Sequence, residues 1–327
     1  MVDWIGDAGR RKIRNATCTV VGCGALGSAS SNLLVRCGFG KVKIVDRDFV
    51  ELANLERQAL FTEDDVLMMK PKATAAAERL TKVNSHVKVV AQVLDLNPRN
   101  AESVLEDADI VLDGTDNLET RYLINDVCAK RRIPWIHGAC LGTTGIIYNV
   151  LPDGPCFRCL YVNPPEPGRI PTCETEGILP SVPQIVGALQ ASEAVKIICG
   201  SDNVTRDLVH VELGSLTLET VTVERSPECP TCLGHTFEYL EEKMSTTGVS
   251  LCGRNAVHVT PHPEVKVDLA NLEKRLEKAG DVSYKGFLLS FRKGDHELVV
   301  FPDGRVIVRG TKDVGVARSL YSKYIGS

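Results

Sequence analysis

Apolar runs and amphipathic segments alternate along the first half of the chain. One apolar run ends at Val21, a helical segment follows over 25–37, and a second apolar run ends at Asp46. The same alternation continues with strands over 87–94 and 110–112 and helices over 73–83 and 118–131. This order predicts an α/β fold with a doubly wound, mostly parallel, Rossmann-like sheet and helices on both faces.

The pattern changes after residue 152. A proline-punctuated loop of about twenty residues precedes an apolar helix over 185–199, and a loop of that length is typical of a functional segment. A polar stretch over 241–248 is the predicted linker between two domains, 1–245 and 249–327. The second is predicted as a small α+β domain in the order βαβββα, with a helix over 269–279, strands over 287–291, 297–301 and 305–308, and a last helix over 314–325.

A glycine motif follows the first apolar run. Gly22, Gly24 and Gly27 have the G-x-G-x-x-G spacing that permits a tight turn and a close approach of the backbone to phosphate. The helix that follows offers unpaired N–H groups to an anion. Asp46 stands where an acceptor for ribose hydroxyls is expected. The motif predicts a bound nucleotide without identifying it.

A set of charged and polar residues favours a triphosphate over a dinucleotide. Lysine and arginine neutralise phosphate charge, and a carboxylate such as that of Asp116 can hold Mg²⁺. Each residue alone fits a solvated surface, but their loops are expected to converge at one edge of the sheet. The set consists of Asp46, Asp48, Asn54, Arg57, Lys72, Asp116 and Asn117.

Two C-x-x-C pairs form the strongest metal signal. Cys156 with Cys159 and Cys229 with Cys232 supply four thiolates, a set that suits structural zinc. Because 69 residues separate the two pairs, the metal would join two remote segments. Two redox-active dithiols are the alternative. The usage of all twelve cysteines fits a reducing, cytoplasmic compartment best.

Charge and hydropathy exclude two classes of partner. The formal net charge is −4 and no basic run is present, so nucleic acid is not indicated. No apolar stretch reaches about 18 residues, and the first residues do not resemble a signal peptide. A membrane partner is therefore not expected.

Several motifs, in order, resemble the ThiF/MoeB/HesA family of bacterial and archaeal relatives of ubiquitin-activating enzymes. They are V-G-C-G-A-L-G at 21–27, I-V-D-R-D-F-V-E-L-A-N-L-E-R-Q at 44–58, K-P-K-A at 70–73, D-G-T-D-N at 113–117 and the two C-x-x-C pairs. The similarity extends over about residues 5–235. It implies that ATP with Mg²⁺ adenylates the C-terminal glycine of a small β-grasp, ubiquitin-like carrier ending in Gly-Gly, with release of pyrophosphate.

The resemblance also implies a role for each site residue. Gly22, Gly24 and Gly27 would line the phosphates and Asp46 would bind the ribose. Asn54, Arg57 and Lys72 would contact phosphate, and Asp116 would serve the metal and the reaction centre. Cys173 lies in the loop that crosses the active site in this family, where a cysteine can form a covalent link with the carrier. Arg57, Lys72, Asp116 and Cys173 are the predicted catalytic residues.

The chain departs from the family pattern in two respects. It begins after the R-Y-x-R-Q segment whose arginine enters the neighbouring subunit's site, so Arg10, Arg11 and Arg14 are candidate substitutes in an expected homodimer. No rhodanese-like domain follows, so sulfur is expected from a separate donor such as a cysteine desulfurase or a rhodanese. Thiamine, molybdopterin and thiolation chemistry remain open as pathways. The alternatives are an NAD-dependent oxidoreductase and an inactive scaffold of the same fold.

Overall fold

Eight strands of the first part of the chain form one sheet in the computed structural model, which describes residues 2–162, 176–241, 256–260, 266–277 and 279–325. The strands are β1 (Thr17–Val21), β2 (Lys41–Val45), β3 (Lys88–Gln92), β4 (Ile110–Asp113), β5 (Trp135–Leu141), β6 (Thr144–Val150), β7 (Leu208–Glu212) and β8 (Thr217–Val221). Their order is β3-β2-β1-β4-β5-β6-β7-β8, and the pairs from β3 through β5 are parallel. The last three pairs are antiparallel.

Helices cover both faces of this sheet. They are α1 (Gly6–Asn15), α2 (Ala25–Cys37), α3 (Glu63–Leu67), α4 (Lys72–Val83), α5 (Ala101–Leu105), α6 (Leu118–Arg131), α7 (Phe157–Leu160) and α8 (Ser181–Cys199). Val20 packs into an apolar cluster with Leu34 of α2, whereas its neighbour Val21 packs into a second cluster with Ile124 of α6. Because successive strand residues face opposite sides, both faces are buried. The predicted doubly wound, mostly parallel fold is confirmed.

The strand register brings three loops together at one edge of the sheet. Val21 pairs with Val45 of β2 and with Asp113 of β4. The loops that follow these three strands therefore leave the sheet side by side, at the switch point between β1 and β4 where open α/β sheets bind ligands.

Residues Thr246–Ser327 form a second unit with its own core. Its elements are β9 (Ala256–Val259), α9 (Leu269–Leu276), β10 (Asp281–Tyr284), β11 (Leu289–Lys293), β12 (His296–Val300), β13 (Val306–Arg309) and α10 (Val314–Tyr324). The strands pair antiparallel in the order β10-β11-β12-β13-β9.

The predicted βαβββα order is wrong by one strand, since β10 makes it βαββββα. This strand has four residues, Asp281 is exposed, and the other three are only half-buried. It therefore lacks the apolar alternation that marks the other strands. Among the described residues, no helix has the length and apolarity that a membrane span requires.

Candidate active site and metal centre

The glycine loop between β1 and α2 is fixed by close backbone packing. Gly22 has a φ of +86°, and a Cβ atom there would lie 2.6 Å from the carbonyl oxygen of Gly114. A Cβ atom on Gly27 would lie 1.9 Å from the carbonyl oxygen of Gly22. The turn and the first turn of α2 therefore accept no side chain at these two positions.

Gly24 differs from its two neighbours in the motif. The nearest atom to a Cβ placed there is Nε2 of Gln58, at 3.9 Å. Gly24 is also the N-cap of α2, and no side chain in the described part of the chain caps that helix. The open space and the free N–H groups of the first helical turn together form a cradle for an anion.

Asp46 connects the end of β2 to this loop. Its Oδ2 accepts from the backbone N–H of Cys23 at 2.6 Å, and its Oδ1 accepts from that of Asp48 at 2.7 Å. Burial raises the pKa of Asp46, and the Lys72 ammonium opposes that rise. A carboxylate has about four acceptor positions, so lone pairs remain for ribose hydroxyls.

Lys72 lies at the start of α4 and is almost fully buried, with 4% of its surface exposed. Its Nζ lies 3.3 Å from Asp48 Oδ2, and its backbone N–H donates to the carbonyl oxygen of Asp48 at 2.9 Å. A buried ammonium requires such a counter-charge. The structure thus brings Asp46, Asp48 and Lys72 together beside the glycine loop, as the sequence predicts.

The segment between β2 and α3 contributes two buried amides. Asn54 Oδ1 and Gln58 Oε1 are buried and have no hydrogen-bond partner among the described residues. Unpaired buried acceptors are costly, so this pair favours a ligand that supplies donors. Arg57 lies between them in sequence, and its Nη1 donates to Glu56 Oε1 at 2.8 Å. Gln58 was not among the predicted site residues, although it ends the N-L-E-R-Q motif.

The loop after β4 carries Asp116 and Asn117. Asp116 is exposed at this edge. Asn117 is the N-cap of α6, and its Oδ1 accepts from the N–H of Thr120 at 2.9 Å. The structure therefore gives Asn117 a capping role, and its contact with a nucleotide stays a prediction.

A buried network behind this loop was not predicted. Asp113 Oδ2 accepts from Arg121 Nε at 3.1 Å and lies 2.8 Å from His137 Nδ1. Burial alone would raise the pKa of Asp113, but Arg121 and His137 outweigh it and hold that pKa below its ordinary value. Gln190 of α8 donates to the carbonyl of Asp113 at 2.9 Å and accepts from Ser30 of α2 at 2.7 Å. The network thus joins α2, β4, α6, β5 and α8 beneath the loop.

The four paired cysteines come together, as their spacing predicts. All four Sγ atoms lie within 4.8 Å of one another, with Cys156 and Cys229 at 3.5 Å and Cys159 and Cys232 at 3.6 Å. Tetrahedral zinc with Zn–S bonds of about 2.3 Å needs sulfur atoms roughly 3.8 Å apart. The cluster therefore fits a four-coordinate metal.

The remaining predicted candidates are Cys173 and three arginines of α1. Cys173 lies outside the described residues. Arg10, Arg11 and Arg14 are exposed on α1, which leads into the start of β1, whereas the glycine loop follows its end. These arginines therefore lie at the opposite edge of the sheet from the glycine loop, and their contact with a neighbouring subunit stays a prediction.

A glycine cradle at the β1–β4 switch point, a buried lysine and an acidic pair define an α/β nucleotide-binding protein. The chain belongs to the ThiF family, whose model matches residues 1–231. The predicted family membership is thereby confirmed.

Two relatives are similar over most of their length. Sulfur carrier protein ThiS adenylyltransferase of Bacillus subtilis (strain 168) is 39% identical over 328 residues, which cover 98% of this chain and 96% of the relative. SAMP-activating enzyme E1 of Haloferax volcanii is 37% identical over 233 residues, 71% of this chain and 86% of the relative. The crystal structure of E. coli MccB with MccA-N7isoASN has a TM-score of 0.60 at 24% identity and covers 69% of each chain, which shows a shared fold.

Proposed function

We propose that this protein uses ATP to adenylate the C-terminal glycine of a small, ubiquitin-like sulfur-carrier protein and releases pyrophosphate. The observation that carries the proposal is the similarity to a ThiS adenylyltransferase across 98% of this chain. The glycine cradle and the buried Lys72 fit the phosphates of the nucleotide that this reaction requires, and the unpaired amide oxygens of Asn54 and Gln58 can accept from its hydroxyl or amino groups.

Each side chain has a proposed task in that reaction. The N–H groups at the start of α2 bind phosphate, and Asp46 binds the ribose. Lys72 and Arg57 neutralise phosphate charge, and Asn54 contributes a polar contact. Attack of a carboxylate on the α-phosphate needs alignment and charge neutralisation more than it needs a general base. Lys72, Arg57 and the N–H groups at the start of α2 are the proposed source of both.

Two metals belong to the proposal. The exposed carboxylate of Asp116 is of the ligand type that Mg²⁺ prefers, and Mg²⁺ would neutralise charge on the pyrophosphate leaving group. Zinc is the proposed occupant of the closed four-cysteine cluster, where it would be structural.

The remaining assignments concern partners. We infer a β-grasp carrier ending in Gly-Gly, a separate sulfur donor such as a cysteine desulfurase or a rhodanese, and a homodimer. A covalent link through Cys173 and a cytoplasmic location stay predictions. Residues 249–327 are proposed as a separate domain.

Pyrophosphate exchange tests the function. Labelled pyrophosphate should enter ATP when the protein is mixed with Mg²⁺ and a Gly-Gly carrier, and not when the carrier lacks its last glycine. Mg-ATP, but not NADH, should raise the melting temperature. Absence of exchange with every Gly-Gly carrier encoded near this protein would refute the proposal, and stabilisation by NADH alone would favour the oxidoreductase.

A further inference from the structure

Helix α6 contacts the loop after β4 at one end and the cysteine cluster near its middle. At its start, Arg121 donates Nε to Asp113 Oδ2 at 3.1 Å and Nη2 to the carbonyl oxygen of Thr115 at 2.6 Å. Farther along, Asn125 accepts from the N–H of Phe157 at 3.0 Å and donates Nδ2 to Cys156 Sγ at 3.8 Å. Arg121 and Asn125 are four residues apart and therefore lie on the same face of the helix.

Phe157 reaches Asp113 by a second route. Its ring packs edge-on against the His137 ring, with centroids 4.9 Å apart, and His137 Nδ1 lies 2.8 Å from Asp113 Oδ2. Phe157 and Asp113 are fully buried and His137 is 1% exposed. Water therefore cannot replace these contacts when one partner moves.

Asp113 in turn fixes the loop that carries Asp116. Its Oδ1 accepts from the N–H of Thr115 at 2.8 Å and from the Thr115 hydroxyl at 2.7 Å. Gly114, the residue after Asp113, lies so close to the glycine loop that a Cβ atom on it would be 2.6 Å from the carbonyl oxygen of Gly22. A displacement of Asp113 would therefore move both the Asp116 backbone and the floor of the nucleotide cradle.

We propose that Asn125 and Phe157 are positioning residues that transmit the geometry of the cysteine cluster to the loop 113–117. Both routes start at Phe157, directly after Cys156, and both end at Asp113. Because close-packed interiors transmit displacement, a change at the cluster should be felt at the loop. The kinetic readout rests on the proposed adenylation, but the coupling itself does not.

Amide hydrogen exchange on the full, metal-loaded chain tests the coupling without any reaction. Asn125→Leu keeps the branched shape and the number of side-chain heavy atoms and removes both hydrogen bonds, and the exchange rate at Thr115 should rise about tenfold. The matched control is Lys130→Met, at an exposed position of the same helix, which should change nothing. Unchanged exchange at Thr115 in Asn125→Leu with metal bound would overturn the proposal.

A second variant covers the case in which Asn125→Leu does not fold. Phe157→Leu keeps the backbone bond to Asn125 and removes the ring contact with His137, and it should raise the same exchange rate. Unchanged exchange in this variant would overturn the second route.

Pyrophosphate exchange then separates positioning from binding. Either variant should lower kcat about tenfold and raise the KM for ATP by no more than about threefold, because the cradle floor shifts only slightly through Gly114, and Lys72 and the N–H groups at the start of α2 lie off both routes. A raised KM with an unchanged kcat would contradict the positioning role. If the wild-type protein shows no exchange at all, the adenylation proposal fails, and the hydrogen-exchange result still decides the coupling.

Discussion

A Cβ atom on Gly27 would lie 1.9 Å from the carbonyl oxygen of Gly22, a distance that no side chain can tolerate. Gly22 is constrained in turn by Gly114, so these three glycines form one packed contact. Gly24 is not part of it, since the atom nearest to a Cβ placed there is 3.9 Å away. The motif thus contains glycines required by the fold and one that leaves space for a ligand.

Substitution of Gly24 should separate folding from nucleotide binding. In Gly24→Ala the added methyl group fits the protein but occupies the phosphate cradle. We expect the melting temperature to change little and the affinity for Mg-ATP to fall at least about tenfold, a loss of about 1.4 kcal/mol. Scanning and titration calorimetry measure the two quantities. Gly27→Ala is the contrast, in which both should fall, and wild-type affinity in Gly24→Ala would contradict the assignment.

Lys72 should be essential to the reaction. Lys72→Met keeps much of the buried volume and removes the charge that faces Asp48, so phosphate charge is no longer neutralised. We expect kcat/KM for pyrophosphate exchange to fall about 100-fold or more. Lys70→Met is the matched control, because Lys70 pairs with Glu78 at 2.7 Å near the surface. Full activity in Lys72→Met would exclude this role, and biological function retained without adenylation would favour the inactive scaffold.

Residues close together in a motif were predictable, and residues joined across the chain were not. The spacings of the glycine loop, Asp46 and the four cysteines match nucleotide-binding and metal-binding motifs. Gln190 meets Ser30 across 160 positions, and no local pattern indicates such a contact. The role of His137 could not be predicted for the same reason. It lies in strand β5, whose sequence shows only the apolar pattern of a core strand.

The start of helix α8 and the short strand β10 were also not predictable from the sequence. Helix α8 begins at Ser181 rather than at the predicted residue 185. Pro183 lies in its first turn, where proline is tolerated, whereas the sequence pattern placed this proline in the preceding loop. β10 has four residues, none of them fully buried, and so gives no apolar signal.

The cysteine cluster should carry one zinc ion per chain. Chelation, or the substitution Cys229→Ser, should release it and lower the melting temperature by more than about 10 °C, since roughly 1 kcal/mol corresponds to about 2–4 °C in a domain of this size. Elemental analysis and scanning calorimetry measure both effects. Cys128→Ala is the control, because Cys128 is buried in an apolar cluster where burial raises the pKa of its thiol. Full zinc content in Cys229→Ser would refute the site.

Acidification should destabilise the fold through His137. Burial lowers the pKa of His137 below its ordinary value of about 6.5, although its hydrogen bond to Asp113 opposes this, and Arg121 lowers the pKa further. Protonation would add an N–H at Nε2, for which the described residues offer no acceptor. Below about pH 6.5 the unfolded chain therefore binds a proton that the folded chain does not, and stability falls by up to about 1.4 kcal/mol per pH unit.

Urea unfolding of wild type and His137→Gln between pH 7.5 and 5 measures this contribution. Glutamine can still donate to Asp113 but does not titrate, so the variant should lose less stability on acidification. The metal content of both proteins is measured at each pH, and the slopes are compared over the range in which both keep the metal. His86→Gln, at an exposed position, should keep the wild-type slope. Asp113 has a lowered pKa, so its contribution is lost only at more acidic pH, outside this range. Equal slopes for wild type and His137→Gln would show that His137 is not the group that titrates.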